Sequence, residues 1–251
     1  MHADLRIPAA IAPAPLPRAA QGSPLRLSHP ASPVVSADRI LRIQGYSDLT
    51  RVRPVIRRAA ASMAEAAMAL SEPCAAYRHV PLRALRGDTL ELDGGVALHC
   101  RAFARTLAGC TEVVAFVLTA GRGLSERVVE LAEAGDLLEA VLLETAGWLC
   151  IEDATRQLKA TLRQAALARG LRITSRLGPG YSYKVEGRMC TWRLEEQPAL
   201  FALLGDAAGL PVSLMESCAM RPKLSRSGMY GAGPLAAAGP KSDVQTQEQV
   251  Q

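Results

Sequence analysis

The segment Glu112–Thr119 places the strongest constraint on the fold, because its run of β-branched and apolar residues is almost continuous. A run of this kind is typical of a strand that is buried rather than exposed on one face. Two helical segments follow, one over 125–134 and a long one over 136–169. Asp136 is the expected N-cap of the long helix, and Gly170 is the residue expected to end it.

Shorter elements are predicted on both sides of this strand. Apolar residues at helical spacing predict helices over 53–70 and 195–208, and a short one over 101–107. Alternating apolar and polar residues, or a high apolar content, predict short strands over 77–82, 89–93, 96–99, 211–215 and 227–230. Residues 38–45 are predicted to form a short strand or an entry segment. Because strands and helices follow one another without a regular βαβ rhythm, we predict an α+β fold with helices packed on the sheet.

The ends of the chain differ in composition from its middle. Seven of the 16 prolines fall within residues 1–37, which predicts a disordered arm there. Residues 231–251 are rich in glycine, alanine and polar side chains, and we predict a disordered tail. The glycines of Gly231-Ala-Gly233 resemble a dinucleotide fingerprint only superficially, since no βαβ unit can follow them. The folded domain is therefore expected over 38–230.

Charge and cysteine usage indicate a cytoplasmic protein. The net charge of +5 comes from basic residues interleaved with acids, so a solvated surface is expected rather than a nucleic-acid partner. The six cysteines form no C-x-x-C pair and are expected to be reduced thiols. Prolines interrupt the apolar residues near the N-terminus, and no stretch has the length of a membrane span, so we expect neither a secretory signal nor a membrane partner.

Familiar catalytic motifs are missing from the sequence. The four histidines have no metal-ligand spacing, and neither a nucleophile elbow nor a P-loop occurs. The glycines of Thr119–Gly123 either hold an anion at a helix start or serve a plain turn. Glu144, Trp148 and Glu152 lie at steps of four on one face of the long helix. The two glutamates either face the protein interior, where a carboxylate needs a partner, or lie on an amphipathic helix and reach solvent.

Two further segments carry the functional argument. The first is Arg176-Leu-Gly178-Pro-Gly180-Tyr181, in which Gly-Pro-Gly predicts a tight turn between a guanidinium and a phenol. Those groups suit a small ligand with a carboxylate and an aromatic base. The second, about thirty residues later, is Leu214-Met-Glu-Ser-Cys-Ala-Met-Arg-Pro-Lys-Leu-Ser-Arg-Ser-Gly228-Met-Tyr230.

Taken in order, these segments resemble the activation domain of cobalamin-dependent methionine synthase. That family carries an Arg-x-x-x-Gly-Tyr turn, a helix, and then Leu-Thr-Glu-Ser-x-x-Met-x-Pro-x-x-Ser-x-Ser-Gly, with Met215 here in place of the threonine. Related stand-alone proteins are similar from about Ile40 onward. The resemblance implies the family's fold, with a mixed or antiparallel twisted sheet.

The resemblance also implies a function, namely binding of S-adenosylmethionine and docking over a corrinoid domain. By position, Arg176 would contact the ligand carboxylate, Gly178 would contribute backbone contacts, and Tyr181 would lie near the cofactors. Gly180, in the same turn, is also expected to bind the ligand. Glu152 falls where the family has an acid near the cationic end of the ligand. The partner would be a cobalamin-binding methionine synthase or another corrinoid protein, with a flavodoxin-type reductase as electron donor.

The sequence departs from the family pattern at Gly170, where a further acid would stand, and in the loop 182–193, which lacks Cys-Pro-Asp-His. Three functions stay open. The first is an activation subunit that acts in trans, with the methyl transfer carried out at the partner's cobalt. The second is a corrinoid-protein chaperone or regulator without S-adenosylmethionine. The third is an independent methyltransferase, which would be expected to carry an early glycine-rich loop that this sequence lacks.

Overall fold

A computed structural model describes residues 23–205, 207–235 and 246–247, and contains six helices and twelve strands in those ranges. The helices are α1 Ala37–Ile43, α2 Pro54–Leu70, α3 Ala102–Thr106, α4 Arg122–Glu133, α5 Leu137–Leu167 and α6 Gln197–Leu204. The strands are β1 Arg26–Ser28, β2 Cys74–Arg86, β3 Thr89–Leu92, β4 Ala97–His99, β5 Glu112–Thr119, β6 Leu171–Ile173, β7 Ser182–Val185, β8 Arg188–Thr191, β9 Ser213–Leu214, β10 Met220–Arg221, β11 Ser225–Pro234 and β12 Thr246–Gln247.

The main sheet is antiparallel and has the order β4-β3-β2-β5-β11-β6, with β1 added alongside β2. Its centre is β5, which pairs with β2 on one side and with β11 on the other along its whole length. A separate hairpin of β7 and β8 also pairs with β12, and β9 pairs with β10. The fold is therefore α+β with an antiparallel sheet and packed helices, as predicted.

Strand β5 is buried on both faces, which confirms the prediction made from its apolar run. Val114, Phe116 and Leu118 face a core formed with α1, α2, α4 and α5. Val113 and Val117 face a second core, formed with the β3–β4 hairpin, α3, α6 and the β7–β8 hairpin. Because neither face of β5 meets solvent, the strand carries no polar alternation.

Helix α5, Leu137–Leu167, confirms the long helix predicted over 136–169. Asp136 is at the N-cap position, but its side chain makes no capping hydrogen bond. Gly170 has φ +70° and its N–H donates to the Leu167 carbonyl, so the left-handed glycine does end the helix. In the described part of the chain, no helix is both long and apolar enough to cross a membrane.

The prediction of a strand or entry segment over 38–45 is wrong, because these residues lie in α1. The Ser36 hydroxyl accepts the Arg39 N–H and caps the helix, while Ile40 and Leu41 are fully buried. The seven-residue element is too short for helical periodicity to show clearly. Its start signal, Ser36 followed by Asp38 in the first turn, is the feature that could have indicated a helix.

The predicted arm over 1–37 is wrong in its last part, since β1 pairs with β2 and Val35 is buried. The Gln157 side chain also accepts the Ala31 N–H at 2.8 Å, which ties this extended segment to α5. Residues 1–22 lie outside the described residues.

The predicted tail over 231–251 is wrong at its start, because β11 runs to Pro234. The glycines are required by close packing: a Cβ on Gly231 would lie 2.7 Å from Cys110 Sγ, and one on Gly233 would lie 2.4 Å from the Gly109 carbonyl oxygen. Residues 246–247 pair with β7, and residues 236–245 and 248–251 lie outside the described residues.

Candidate functional site

The Arg176–Tyr181 turn is fastened to strand β11 just before the chain enters β7. Leu177 and Met229 exchange two backbone hydrogen bonds of 2.9 and 2.8 Å. Gly180, with φ +83°, reverses the chain in a conformation that disfavours residues with a side chain. Its N–H donates to the Trp192 carbonyl at 2.7 Å, which ties the turn to the end of β8. The predicted tight turn is therefore present, and its Leu177 side chain is buried in the second core.

The Tyr183 side chain binds the backbone of the turn at Gly178. Its buried hydroxyl accepts the Gly178 N–H at 2.7 Å and lies 3.1 Å from the Gly178 carbonyl oxygen, to which it can donate. Burial raises the pKa of the Tyr183 phenol, so the group stays protonated at neutral pH. The backbone N–H groups of Gly178 and Gly180 are thus already engaged within the chain. These glycines serve the site by the space and the turn that they provide.

Arg176 and Tyr181, predicted to contact one ligand, lie together. The Arg176 guanidinium carbon is 4.2 Å from the centroid of the Tyr181 ring, which is cation–π geometry. A Cβ on Gly178 would be 3.0 Å from Arg176 Nη1 and 3.1 Å from both Tyr181 Cδ2 and the Ser227 carbonyl oxygen. The absence of a side chain at Gly178 therefore lets the guanidinium and the ring approach each other beside β11.

Glu152, on α5, forms an ion pair with Arg226 of β11. The Arg226 side chain is only 4% exposed and also donates to the Thr155 hydroxyl at 3.4 Å, whereas Glu152 is 44% exposed. Glu144, two turns earlier, pairs with Lys223, whose side chain is 66% exposed. Of the two acids on this face of α5, Glu152 therefore meets a buried cation, whereas Glu144 meets a cation at the surface.

Tyr230 lies on β11, the strand that pairs with the turn and carries Arg226. Its fully buried ring stacks on Phe116 with the centroids 5.3 Å apart. Burial raises the pKa of Tyr230 to about 12, while Arg176 and Arg226 act to lower it and Glu152 to raise it. Strand β11 connects the two parts of the site, because Leu177 of the turn pairs with Met229 and Glu152 pairs with Arg226. Arg176, Gly178 and Tyr181 thus lie in one turn beside β11, and Glu152 reaches the same strand from α5.

A buried glutamine attaches the second sequence motif to the same strand. Gln197, 2% exposed at the start of α6, donates to the Cys218 carbonyl at 2.7 Å and accepts the Ser227 hydroxyl at 3.0 Å. The turn at Cys218, which has φ +64°, is thereby held beside β11. The first motif meets the second because Leu177 pairs with Met229, which belongs to the second motif.

The sequence did not identify two cations of the site, Arg226 and Lys159. The Lys159 ammonium lies 5.9 Å from the centroid of the Tyr230 ring. Lys159 follows Glu152 by seven residues, a spacing that returns to the same helix face and that could have indicated it. Arg226 is a charged residue inside a glycine- and serine-rich strand, which gave no comparable signal.

The glycines after β5 are not part of this site. The Thr119 hydroxyl accepts the Gly121 N–H at 3.1 Å, and α4 begins immediately after Gly121. A Cβ on Gly121 would lie 3.1 to 3.3 Å from Glu72 atoms, and its φ is +100°. Close approach of the chain to Glu72 accounts for this glycine. The plain strand-to-helix turn is therefore the interpretation that the geometry supports.

Comparisons with known proteins show the fold. No family model matches the chain, and no curated protein matches it significantly by sequence. Among solved structures, the chain is similar to one described as the "Crystal Structure of the MetH Reactivation Domain bound to AdoHcy", with a TM-score of 0.58 and 17% sequence identity. The match covers 88% of this chain and 82% of the other. The chain therefore has the fold of a MetH reactivation domain.

Proposed function

We propose that this protein is an activation subunit that acts in trans on a cobalamin-dependent methionine synthase. It would bind S-adenosylmethionine and dock over the partner's corrinoid domain. Inactive cob(II)alamin in the partner would take one electron from a flavodoxin-type reductase. The methyl group of S-adenosylmethionine would then pass to the reduced cobalt, leaving S-adenosylhomocysteine and methylcobalamin.

The observation that carries this proposal is the pairing of Arg176 with Tyr181 over Gly178. In the solved structure of this fold, the domain is bound to AdoHcy, a ligand with a carboxylate and an adenine. A guanidinium suits the carboxylate and a phenol ring suits a flat base. Gly178 supports this arrangement, because a Cβ there would lie 3.0 Å from Arg176 Nη1 and 3.1 Å from Tyr181 Cδ2 and would push the two groups apart.

The residues of this chain would bind and orient the methyl donor, since no self-contained catalytic group is required of them. Arg176 would fix the carboxylate, and Tyr181 would cover the ligand. Glu152, although paired with Arg226, is 44% exposed, so its carboxylate can also face a sulfonium cation. Holding the ligand at a docking surface would convert methyl transfer into an oriented reaction with the partner's cofactor.

The test is calorimetric titration of the protein with S-adenosylmethionine. Wild type is expected to bind, and Arg176→Ala should weaken binding by about 2–3 kcal/mol because a charge-assisted hydrogen bond is lost. Arg188→Ala, at the exposed start of β8, is the matched control and should bind as wild type. No binding by wild type would refute the proposal, and equal binding by Arg176→Ala would refute the position of the ligand.

A second candidate keeps the fold and the corrinoid partner but not the methyl donor. The Glu152–Arg226 ion pair favours it, because Arg226 already provides the cation that a sulfonium would replace. The protein would then be a corrinoid-protein chaperone or regulator. Binding of a cob(II)alamin-loaded methionine synthase without any heat of S-adenosylmethionine binding would support this candidate over the first.

A further inference from the structure

A cavity of about 770 Å³ lies between helix α3 and the tips of two β-hairpins. This volume is in the range of about 300–1,000 Å³ that is usual for small-molecule sites. The β2–β3 hairpin contributes Gly87 and Asp88 to the lining, and the β7–β8 hairpin contributes Val185 and Glu186. The other described lining residues belong to α3 or directly precede it, and none comes from the Arg176–Tyr181 turn or from β11. The cavity is therefore separate from the candidate site described above.

The elements around the cavity are held in place by the second core and by a backbone hydrogen bond. Ala102 and Phe103 of α3 are buried, and the Phe103 ring meets the Trp192 ring edge to face with the centroids 5.0 Å apart. The Cys100 N–H, just before α3, donates to the Asp88 carbonyl at 2.8 Å, which joins the β2–β3 tip to the helix. The walls of the cavity are thus set by packed elements.

Four charged side chains of both signs line the cavity. Arg101 and Arg105 are four residues apart, so they lie on one face of α3. The acids Asp88 and Glu186 come from the two hairpin tips. Within the described ranges, none of the four side chains forms an ion pair. A ligand that carries an anionic and a cationic group together would satisfy both kinds of charge.

The backbone conformation of Glu186 is unusual for its residue type. Val185 pairs with Arg188, so Glu186 and Gly187 form a two-residue hairpin loop, and their φ angles are +49° and +79°. Such a loop favours asparagine, aspartate or glycine at its first position, because other side chains are disfavoured at positive φ. A glutamate at this position costs stability, and its side chain lines the cavity. This cost points to a role for the carboxylate in binding.

We propose that this cavity binds a free α-amino acid with an apolar side chain. Arg101 and Arg105 bind the carboxylate with their guanidinium forks. Asp88 and Glu186 bind the ammonium group. The apolar part of the ligand lies against Ala104, whose small side chain leaves space between the two arginines. This site goes beyond the proposed function, because it does not depend on binding of S-adenosylmethionine.

The test is calorimetric titration of the full chain with L-leucine and with L-methionine. We expect at least one of them to bind at a single site. Its analogue without the carboxylate and its analogue without the amino group should each bind about tenfold more weakly, since each leaves a charge-assisted hydrogen bond unmade.

The variant Glu186→Asn separates binding from folding. Asparagine removes the charge and tolerates positive φ, so this variant should be at least as stable as wild type in urea while it binds the amino acid about tenfold more weakly. Arg105→Met should weaken binding of the amino acid by a similar factor and leave binding of the amine analogue unchanged. Glu65→Gln and Arg58→Met, both exposed on α2, are the matched controls and should bind as wild type.

Three results would overturn the proposal. The first is that neither amino acid binds to wild type, and the second is that both analogues bind as tightly as the amino acid. The third is a folded Glu186→Asn protein with the affinity of wild type. No arm of this experiment uses S-adenosylmethionine, so its failure would leave the proposed function untouched.

Discussion

Replacing Gly228 with alanine should loosen the attachment of the ligand turn to strand β11. A Cβ at this position would lie 2.4 Å from the Leu177 carbonyl oxygen and 3.3 Å from Phe116 Cε1. Because the closer atom belongs to the backbone, no side-chain rotation can relieve the contact. Either β11 or the segment that carries Arg176 must move.

The magnitude follows from what that movement breaks. Leu177 and Met229 exchange two backbone hydrogen bonds, each worth about 1 kcal/mol to the free energy of unfolding. Overpacking costs about 1–3 kcal/mol, and the more restricted unfolded chain returns about 0.4–1 kcal/mol. We expect Gly228→Ala to lower the free energy of unfolding by about 2–4 kcal/mol and to weaken ligand binding as Arg176 shifts.

Urea unfolding followed by circular dichroism measures this change. Gly123→Ala is the control, because a Cβ on that helical glycine of α4 meets nothing within 4 Å. The control should be as stable as wild type or more stable, since alanine is the better helix former. A Gly228→Ala protein with the unfolding midpoint of wild type would refute the claim that close contact with β11 holds the turn in place.

Three further predictions concern the ion pairs and the packing of α5. The hydrogen bond from His79 is the main cause that lowers the pKa of Glu112 from 4.5 to about 2, so stability gained above pH 4.5 is lost as the pH falls through that range. The free energy of unfolding of Glu112→Gln, measured in urea, should therefore vary less with pH over this range, by up to about 3 kcal/mol. A pH profile identical to that of wild type would contradict the pairing. Gly147→Ala should lower the free energy of unfolding by about 1–2 kcal/mol, since the new Cβ would lie 2.4 Å from Leu224 Cδ1. Thermal unfolding measures this change, and a variant as stable as wild type would refute the close packing. Glu152→Gln should lower the free energy of unfolding by about 3 kcal/mol, because it removes the carboxylate that pairs with a buried guanidinium. Arg226→Met leaves behind a carboxylate that is 44% exposed, and it should lower the free energy of unfolding by only about 1 kcal/mol. Equal urea midpoints for the two variants would refute this asymmetry.

The elements with strong local signals could be predicted from the sequence. Strand β5 and helices α2 and α5 are long, and their apolar periodicity is set by burial on defined faces. The turn at Gly178 and Gly180 was evident because few residues other than glycine and proline can form it. These features depend on local chemistry, which a single sequence displays.

The elements that depend on tertiary contacts could not be predicted in full. Strand β11 is rich in glycine and serine, which have low strand propensity, and it forms because β5 and β6 pair with it on both sides. Strand β1 similarly depends on β2. Lys159 approaches Tyr230, and Arg226 meets Glu152, only once β11 lies beside α5. These two contacts thus depend on the packing of a strand with a weak local signal.

The most direct test of the proposed function is transfer of a labelled methyl group to the corrinoid partner. The partner is a methionine synthase that ends after its cobalamin domain and is held as cob(II)alamin with a reduced flavodoxin-type donor. Adding this protein with S-adenosylmethionine labelled in its methyl group should produce labelled methylcobalamin, and Arg176→Ala should largely abolish that product. Methylcobalamin that forms equally fast without the protein, or no label in the presence of a protein that binds the partner, would contradict the account.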